Sequence, residues 1–212
     1  RTAQREIPTG QFGFSDVSWF TVICLLLFFL ATTQLHPACI KVFPLAVFLT
    51  FFYSYTKRFT FLSHFILGMS LAFAPLGAWL AVSGSLPTAA WVWGLAVVCW
   101  VAGFDIFYQS QDVEFDRIHG LCSIPAYFGV KQGVKFALVL HAISLLLFLW
   151  GGMLSYAGTW YFLGIGIVLL LFSREYFLVR ELDTARLASA FQINLMVSLV
   201  LLVFFGLDRL TG

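Results

Sequence analysis

Charge is what this chain has least of. Lys, Arg, Asp and Glu make up 10% of its 212 residues, against about a quarter in a soluble domain. That scarcity excludes an ordinary water-soluble globule and a disordered chain. A net charge of +2 is too small to imply an anionic macromolecule as partner, so no nucleic acid is expected. Cysteine is scarce as well. Cys24, Cys39, Cys99 and Cys122 form no CxxC pair, and buried free thiols are the simplest reading. His36, His64, His119 and His141 are scattered without metal-ligand spacing, and no P-loop, GxGxxG or Ser-His-Asp arrangement is apparent. No internal repeat, low-complexity tract or domain linker interrupts the chain.

What fills the chain is apolar. Hydrophobic residues make up 61%, aromatic residues 18%, and Phe alone occurs 25 times; the mean hydropathy is +0.94. This is the composition of a polytopic membrane protein whose solvent is a lipid bilayer. The few charges mark the ends of the spans. None occurs between Asp16 and Lys41, Lys41 and Lys57, Arg58 and Asp105, Lys135 and Arg174, or Arg186 and Asp208. A spanning helix needs about 20 residues, so the two longest gaps suit two helices each. Both carry turn chemistry near the middle, Ser83-Gly84-Ser85-Leu86-Pro87 in one and Gly151-Gly152 with Ala157-Gly158 in the other. The expected fold is all-α, a bundle of seven spans near Val17–Thr33, Pro37–Tyr53, His64–Ser83, Ala89–Tyr108, Gly133–Gly151, Thr159–Ser173 and Leu187–Leu207. Pro44 is expected to kink the second.

Basic residues orient the bundle. One set of flanking segments holds Arg1, Arg5, Lys57, Arg58, Arg117, Lys131, Lys135, Arg174, Arg180 and Arg186; the other holds only Lys41 and Arg209. Lys and Arg prefer cytoplasmic loops, so the first set is expected to face the cytoplasm. Trp91, Trp93, Trp160 and Tyr161 fall near the opposite ends, where amphipathic rings favour the headgroup layer.

Most of the polar chemistry belongs to the basic side. Its densest stretch runs from Asp105 to Arg117. If the fourth helix continues through it, Asp105, Tyr108, Asp112 and Asp116 lie within roughly 80° on one face, with Glu114 opposite. Carboxylates in a row repel one another at a membrane boundary unless cations neutralise them. Mg²⁺ suits such oxygens and usually adds substrate phosphates to one or two carboxylates. The plainer alternative is a solvated acidic helix end with Asp116 paired to Arg117 or another base. Lys57 and Arg58, beside Tyr53 and Tyr55, could clamp a diphosphate or simply anchor a positive loop. Arg5-Glu6-Ile7-Pro8-Thr9-Gly10 reads as a loop entering the first span. Gly120 is expected to end a helix, and Ser123 to cap or turn the next segment.

Three of these stretches, in this order, resemble the UbiA superfamily of intramembrane aromatic prenyltransferases, over essentially the whole chain. Asp105-x-x-Tyr108-x-x-x-Asp112-x-x-x-Asp116, followed by Gly120, Ser123 and Gly129, resembles the family's second aspartate-rich motif. Tyr55-Thr56-Lys57-Arg58-Phe59-Thr60 resembles its basic motif, and Arg5 to Gly10 the arginine-proline-glycine stretch after its second helix. The resemblance implies Mg²⁺-dependent transfer of a polyprenyl group from polyprenyl diphosphate to a small aromatic acid in quinone biosynthesis. Asp105, Asp112 and Asp116 would hold Mg²⁺ and diphosphate. Lys57, Arg58 and Arg5 would bind the diphosphate, and Tyr108 would orient a carboxylate or stabilise cationic charge. The stretch from Gln111 to Ala126 looks like bacterial proteins that prenylate 4-hydroxybenzoate; some relatives prenylate a dihydroxynaphthoate instead, and both acceptors stay open. The implied place is a bacterial inner membrane with the site toward the cytoplasm. Family members have nine helices and a first motif of the NDxxDxxxD kind, which this sequence does not contain. The resemblance therefore implies one truncated prenyltransferase domain over 1–212, the last seven helices, inactive by itself. An ion-coupled transporter is the alternative from another class.

Overall fold

The computed structural model describes residues 6–179 and 184–211. Within them the chain is all helical: α1 (Phe14–Thr33), α2 (Pro37–Thr56), α3 (Ser63–Ser83), α4 (Thr88–Gln109), α5 (Val113–Ile118), α6 (Ile124–Phe128), α7 (Val130–Leu154), α8 (Thr159–Val179) and α9 (Thr184–Thr211). Seven of these hold segments long and apolar enough to cross a membrane, matching the expected spans in number and order. Only α5 and α6 are short, and both lie in the loop between the fourth and fifth spans.

The helix boundaries follow from local chemistry. His36 caps α2 by accepting from the Ala38 amide at 3.2 Å, with Pro37 in the first turn. Gly84 closes α3 in the left-handed region, φ 70°, a conformation that costs a residue without Cβ almost nothing. α2 runs unbroken past Pro44.

The core forms around α4, which packs on α3, α7 and α9. α1, by contrast, buries only Thr32. Small residues let α3 and α4 approach closely: a Cβ on Gly68 would stand 2.6 Å from the Val98 carbonyl oxygen. Two of the four rings expected at the headgroup layer point inward instead. Trp93 packs on Phe148, Tyr161 and Phe205, and the buried Tyr161 donates its hydroxyl to the Phe148 carbonyl at 2.7 Å. A phenol reaching a buried acceptor gains more from helix packing than from the interface.

Polar groups inside the bundle are paired across helices. Glu175 is fully buried. One of its carboxyl oxygens lies 2.8 Å from His141 Nδ1 and the other accepts from Asn194 Nδ2 at 2.8 Å. Asn194 in turn accepts from Trp100 Nε1 at 2.7 Å, while His141 Nε2 lies 3.2 Å from the Trp100 carbonyl. The network joins α4, α7, α8 and α9. It corrects the sequence expectation, which ended the sixth span at Ser173; the helix continues to Val179, and Glu175 faces inward with Phe172 and Val179. At the other end of α8, Asp208 of α9 accepts from the Gly158 amide at 2.8 Å and the Tyr161 amide at 3.3 Å. One helix thus supplies the N-terminal cap of another. Asp208→Ala is expected to cost about 1–2 kcal/mol, read as a lower melting temperature in detergent, and Asp208→Asn to cost less.

Candidate functional site

α2 ends one residue before Lys57, and α4 ends at Gln109. Between α4 and α5 the chain does not continue as one helix. The Ser110 hydroxyl donates back to the Ile106 carbonyl at 2.8 Å, a local bond that competes with helix propagation. The Asp112 amide then donates to Gln109 at 3.0 Å rather than one residue earlier. Asp112 stands just before α5 at φ −104°, ψ 10°. The continuous acidic stripe expected from the sequence is therefore divided in two.

In one half, Asp105 is buried in the last turns of α4. Its Oδ2 is 2.7 Å from His64 Nδ1 and accepts from Gln109 Nε2 at 2.9 Å. Tyr53, one turn before Lys57 on α2, lies within electrostatic reach of both Asp105 and Tyr108. In the other half, Asp116 is fully buried. Its Oδ1 pairs with Lys57 Nζ at 2.8 Å, and its Oδ2 accepts from the Ser123 hydroxyl at 2.9 Å. Of the bases weighed for Asp116, the structure chooses Lys57; Arg117 instead donates from Nε to the Ala126 carbonyl at 3.0 Å. Ser123 caps α6, as expected, accepting from the Ala126 amide at 3.3 Å.

Residues 121–124 are fastened one after another. The Leu121 amide donates to the Asp116 carbonyl at 2.8 Å, and the Cys122 amide to the Lys57 carbonyl at 2.7 Å. Ser123 holds Asp116, and the Ile124 amide donates to His64 Nε2 at 3.2 Å. Repulsion between carboxylates is relieved by giving each its own partner, which is why Asp105 and Asp116 tolerate burial.

The remaining expected residues surround this centre. Asp112 and Tyr108 are half-buried. The Asp112 carbonyl accepts the Asp116 amide at 2.8 Å, so the two acids sit one turn apart. Arg58 is exposed, its guanidinium 5.2 Å from the centre of the Tyr55 ring. Glu114 is exposed, away from the centre. Arg5 lies outside the described residues. Among the described residues no group of three His, Cys, Asp or Glu side chains could by itself hold a metal ion. The donors are nevertheless oxygens: half-buried Asp112, Asp116, and the Gln109 Oε1, which is buried without a hydrogen-bond partner. Such a set fits a hard cation that brings its own phosphate oxygens rather than one held in an all-protein cage.

Sequence reasoning gave no site role to His64, which it set aside as one of four scattered histidines, or to Gln109, and named Tyr53 only as a neighbour of Lys57 and Arg58. Tyr53 was within reach of pattern alone, one turn before Lys57. The pairing of His64 with Asp105 spans 41 residues and leaves no local trace.

An apolar bundle with seven candidate spans thus gathers paired acids and bases at helix ends, a candidate site at the membrane boundary. Comparison with known proteins gives the family: residues 1–201 match the UbiA prenyltransferase family, and the chain belongs to it. It is a prenyltransferase by that membership. The 4-hydroxybenzoate octaprenyltransferase of Francisella tularensis subsp. novicida is 30% identical over 203 residues, 96% of this chain and 71% of that protein. The protein of the same name from Xanthomonas campestris pv. campestris is 30% identical over 208 residues, 96% of this chain and 67% of that protein. The apo structure of a UbiA homolog from Aeropyrum pernix superposes with a TM-score of 0.90 at 28% identity, covering 99% of this chain and 78% of that one. A structure of digeranylgeranylglyceryl phosphate synthase shares the fold, with a TM-score of 0.74 at 21% identity over 97% of this chain and 73% of the other.

Proposed function

We propose that this prenyltransferase moves a polyprenyl group from polyprenyl diphosphate to a small aromatic acid, 4-hydroxybenzoate or a dihydroxynaphthoate, in quinone biosynthesis, with Mg²⁺. The observation that carries the reading is the buried Asp116 paired with Lys57, beside Arg58 and Asp112 at the polar end of an apolar bundle. Lys57 and Arg58 bind the diphosphate oxygens and stabilise them as the bond to the first prenyl carbon breaks and its electron pair leaves with diphosphate. Asp112 and Asp116, with Asp105 behind them, would hold Mg²⁺. When bound, the cation supplies neutralisation of the charge that develops on the leaving group. Tyr108, half-buried one turn after Asp105, orients a carboxylate or stabilises the allylic cation. A ring carbon of the acceptor then forms the C–C bond and loses its proton. Apolar spans hold the isoprenoid tail and keep water from the cation.

The basic residues gathered on the site's side of the spans support an integral protein of a bacterial inner membrane with the site toward the cytoplasm. Family membership favours this enzyme over an ion-coupled transporter. The test is prenyl transfer by the natural full-length protein in liposomes, with polyprenyl diphosphate, each acceptor in turn, and Mg²⁺ present or chelated. Transfer that needs Mg²⁺ and falls at least about 100-fold in Asp112→Ala is expected. Transfer undiminished by chelation, or by that substitution, would refute the assignment.

A further inference from the structure

We infer that His64 is a positioning residue that sets the spacing between the two halves of the site, an inference that rests on the Mg²⁺–diphosphate reading of Asp105, Asp112 and Asp116. Its ring is fully buried in the first turn of α3 and bridges two elements that the backbone does not hold in register. One nitrogen meets Asp105 on α4, and the other meets the Ile124 amide at the start of α6. Ser123, the neighbour of Ile124, holds Asp116. The path from Asp105 through His64 to Ile124, Ser123 and Asp116 thus closes across the gap where α4 stops and α5 begins. In an unbroken helix, residues 105 and 116 would keep their separation without help. Here the helix is interrupted at Ser110–Asp112, and His64 is the strut that spans the interruption.

The same bonds fix where the imidazole carries its proton. An amide N–H can only donate, so Nε2, 3.2 Å from the Ile124 nitrogen, must offer its lone pair. The proton is therefore on Nδ1, which donates to Asp105 Oδ2 at 2.7 Å. A proton on Nε2 would set two N–H groups against each other. Asp105 receives a second donor on the same oxygen from Gln109, so two hydrogen bonds fix the direction of the carboxylate while it keeps its charge. This arrangement parallels the outer partners that orient metal-binding carboxylates and imidazoles, whose loss typically costs about 10–100-fold in metal affinity or activity.

The test uses the natural full-length protein in liposomes with His64→Leu, His64→Asn and His64→Gln. Asn retains a donor near the Nδ1 position for Asp105, and Gln retains an acceptor near the Nε2 position for Ile124. His64→Leu is expected to raise the Mg²⁺ requirement and the KM for polyprenyl diphosphate by about 10–100-fold, with the KM for the aromatic acid unchanged. Asn and Gln each recover part of the loss. A merely structural residue would lower the amount of folded protein and leave the KM values of the remainder alone. Nitrogen-15 spectra of the imidazoles supply a readout independent of transfer, with Nδ1 protonated and Nε2 bare at His64, assigned by the signal lost in His64→Gln. A proton on Nε2 would overturn the strut whatever the activity. Unchanged Mg²⁺ and diphosphate requirements in folded His64→Leu would overturn the positioning role. No transfer by the parent with either acceptor, with Nδ1 protonated as expected, would instead overturn the reading of the site.

Discussion

Asp116→Asn in the natural full-length protein is expected to lower kcat/KM for prenyl transfer by about three orders of magnitude, near 4 kcal/mol of transition-state stabilisation. The substitution separates two roles of one carboxylate. An amide oxygen can still accept from Ser123, so the turn that places α6 survives. The charge facing Lys57 does not. Lys57 is left with an ammonium beside a neutral group, and the oxygen that would meet a cation is no longer anionic. The leaving diphosphate accumulates charge as its bond breaks, so the loss falls on kcat as well as on the KM for polyprenyl diphosphate and the Mg²⁺ requirement. Lys57→Gln tests the other side. It removes the base that binds diphosphate and leaves Asp116 buried without its ion-pair partner, so it is expected to lose nearly as much. If the two act as one unit, the double variant Lys57→Gln/Asp116→Asn falls scarcely further than either single one. Full additivity of the two losses would mean that they act on separate steps. A kcat within tenfold of the parent in Asp116→Asn would remove Asp116 from the reaction.

Much of this arrangement was legible in the sequence because membranes simplify the reading. Charge is expelled from the hydrocarbon, so its gaps measure the helices, and α1 to α4 end within three residues of where those gaps predicted. The candidate residues were legible as a set, since Asp105, Asp112, Asp116, Lys57 and Arg58 stand where the apolar runs stop, near helix ends. Their partners were not. No Gly or Pro marks the break at Ser110–Asp112, and a helix drawn through it aligns Asp105 with Asp116, which the fold pairs separately with His64 and Lys57. His64 and Asp105 meet only because α3 and α4 lie against each other along Gly68 and Ala72, and His64 precedes that stripe by one helical turn. Glu175 was left outside the sixth span by the very rule that found the spans, which treats any charge, here Arg174, as an end of the membrane. A second rule corrects it: Val168, Phe172, Glu175 and Val179 recur at helical spacing, and all four are buried.

That buried acid gives the largest expected effect on stability. Glu175→Ala is expected to destabilise the protein by about 3–5 kcal/mol, whereas Glu175→Gln costs about 1 kcal/mol or less. The gain from an intramembrane hydrogen bond is itself modest, about 0.6 kcal/mol on average. The asymmetry arises from what is left behind. His141 Nε2 lies against the Trp100 carbonyl, an acceptor, so Nε2 carries a proton, and Nδ1 faces the Glu175 carboxylate at 2.8 Å. Alanine removes that partner and takes from Asn194 one of its two acceptors, the Ala190 carbonyl at 3.1 Å remaining. Each orphaned buried group costs about 1–3 kcal/mol, and the cavity adds to it. Glutamine has the same shape. Its amide can donate to His141 Nδ1 while its oxygen accepts from Asn194, so α7, α8 and α9 stay joined. Unfolding in mixed micelles, followed by the fluorescence of Trp100 and its neighbours, distinguishes the outcomes. Equal loss in both variants would mean that the carboxylate charge, and not the continuity of the hydrogen bonds, holds the four helices together.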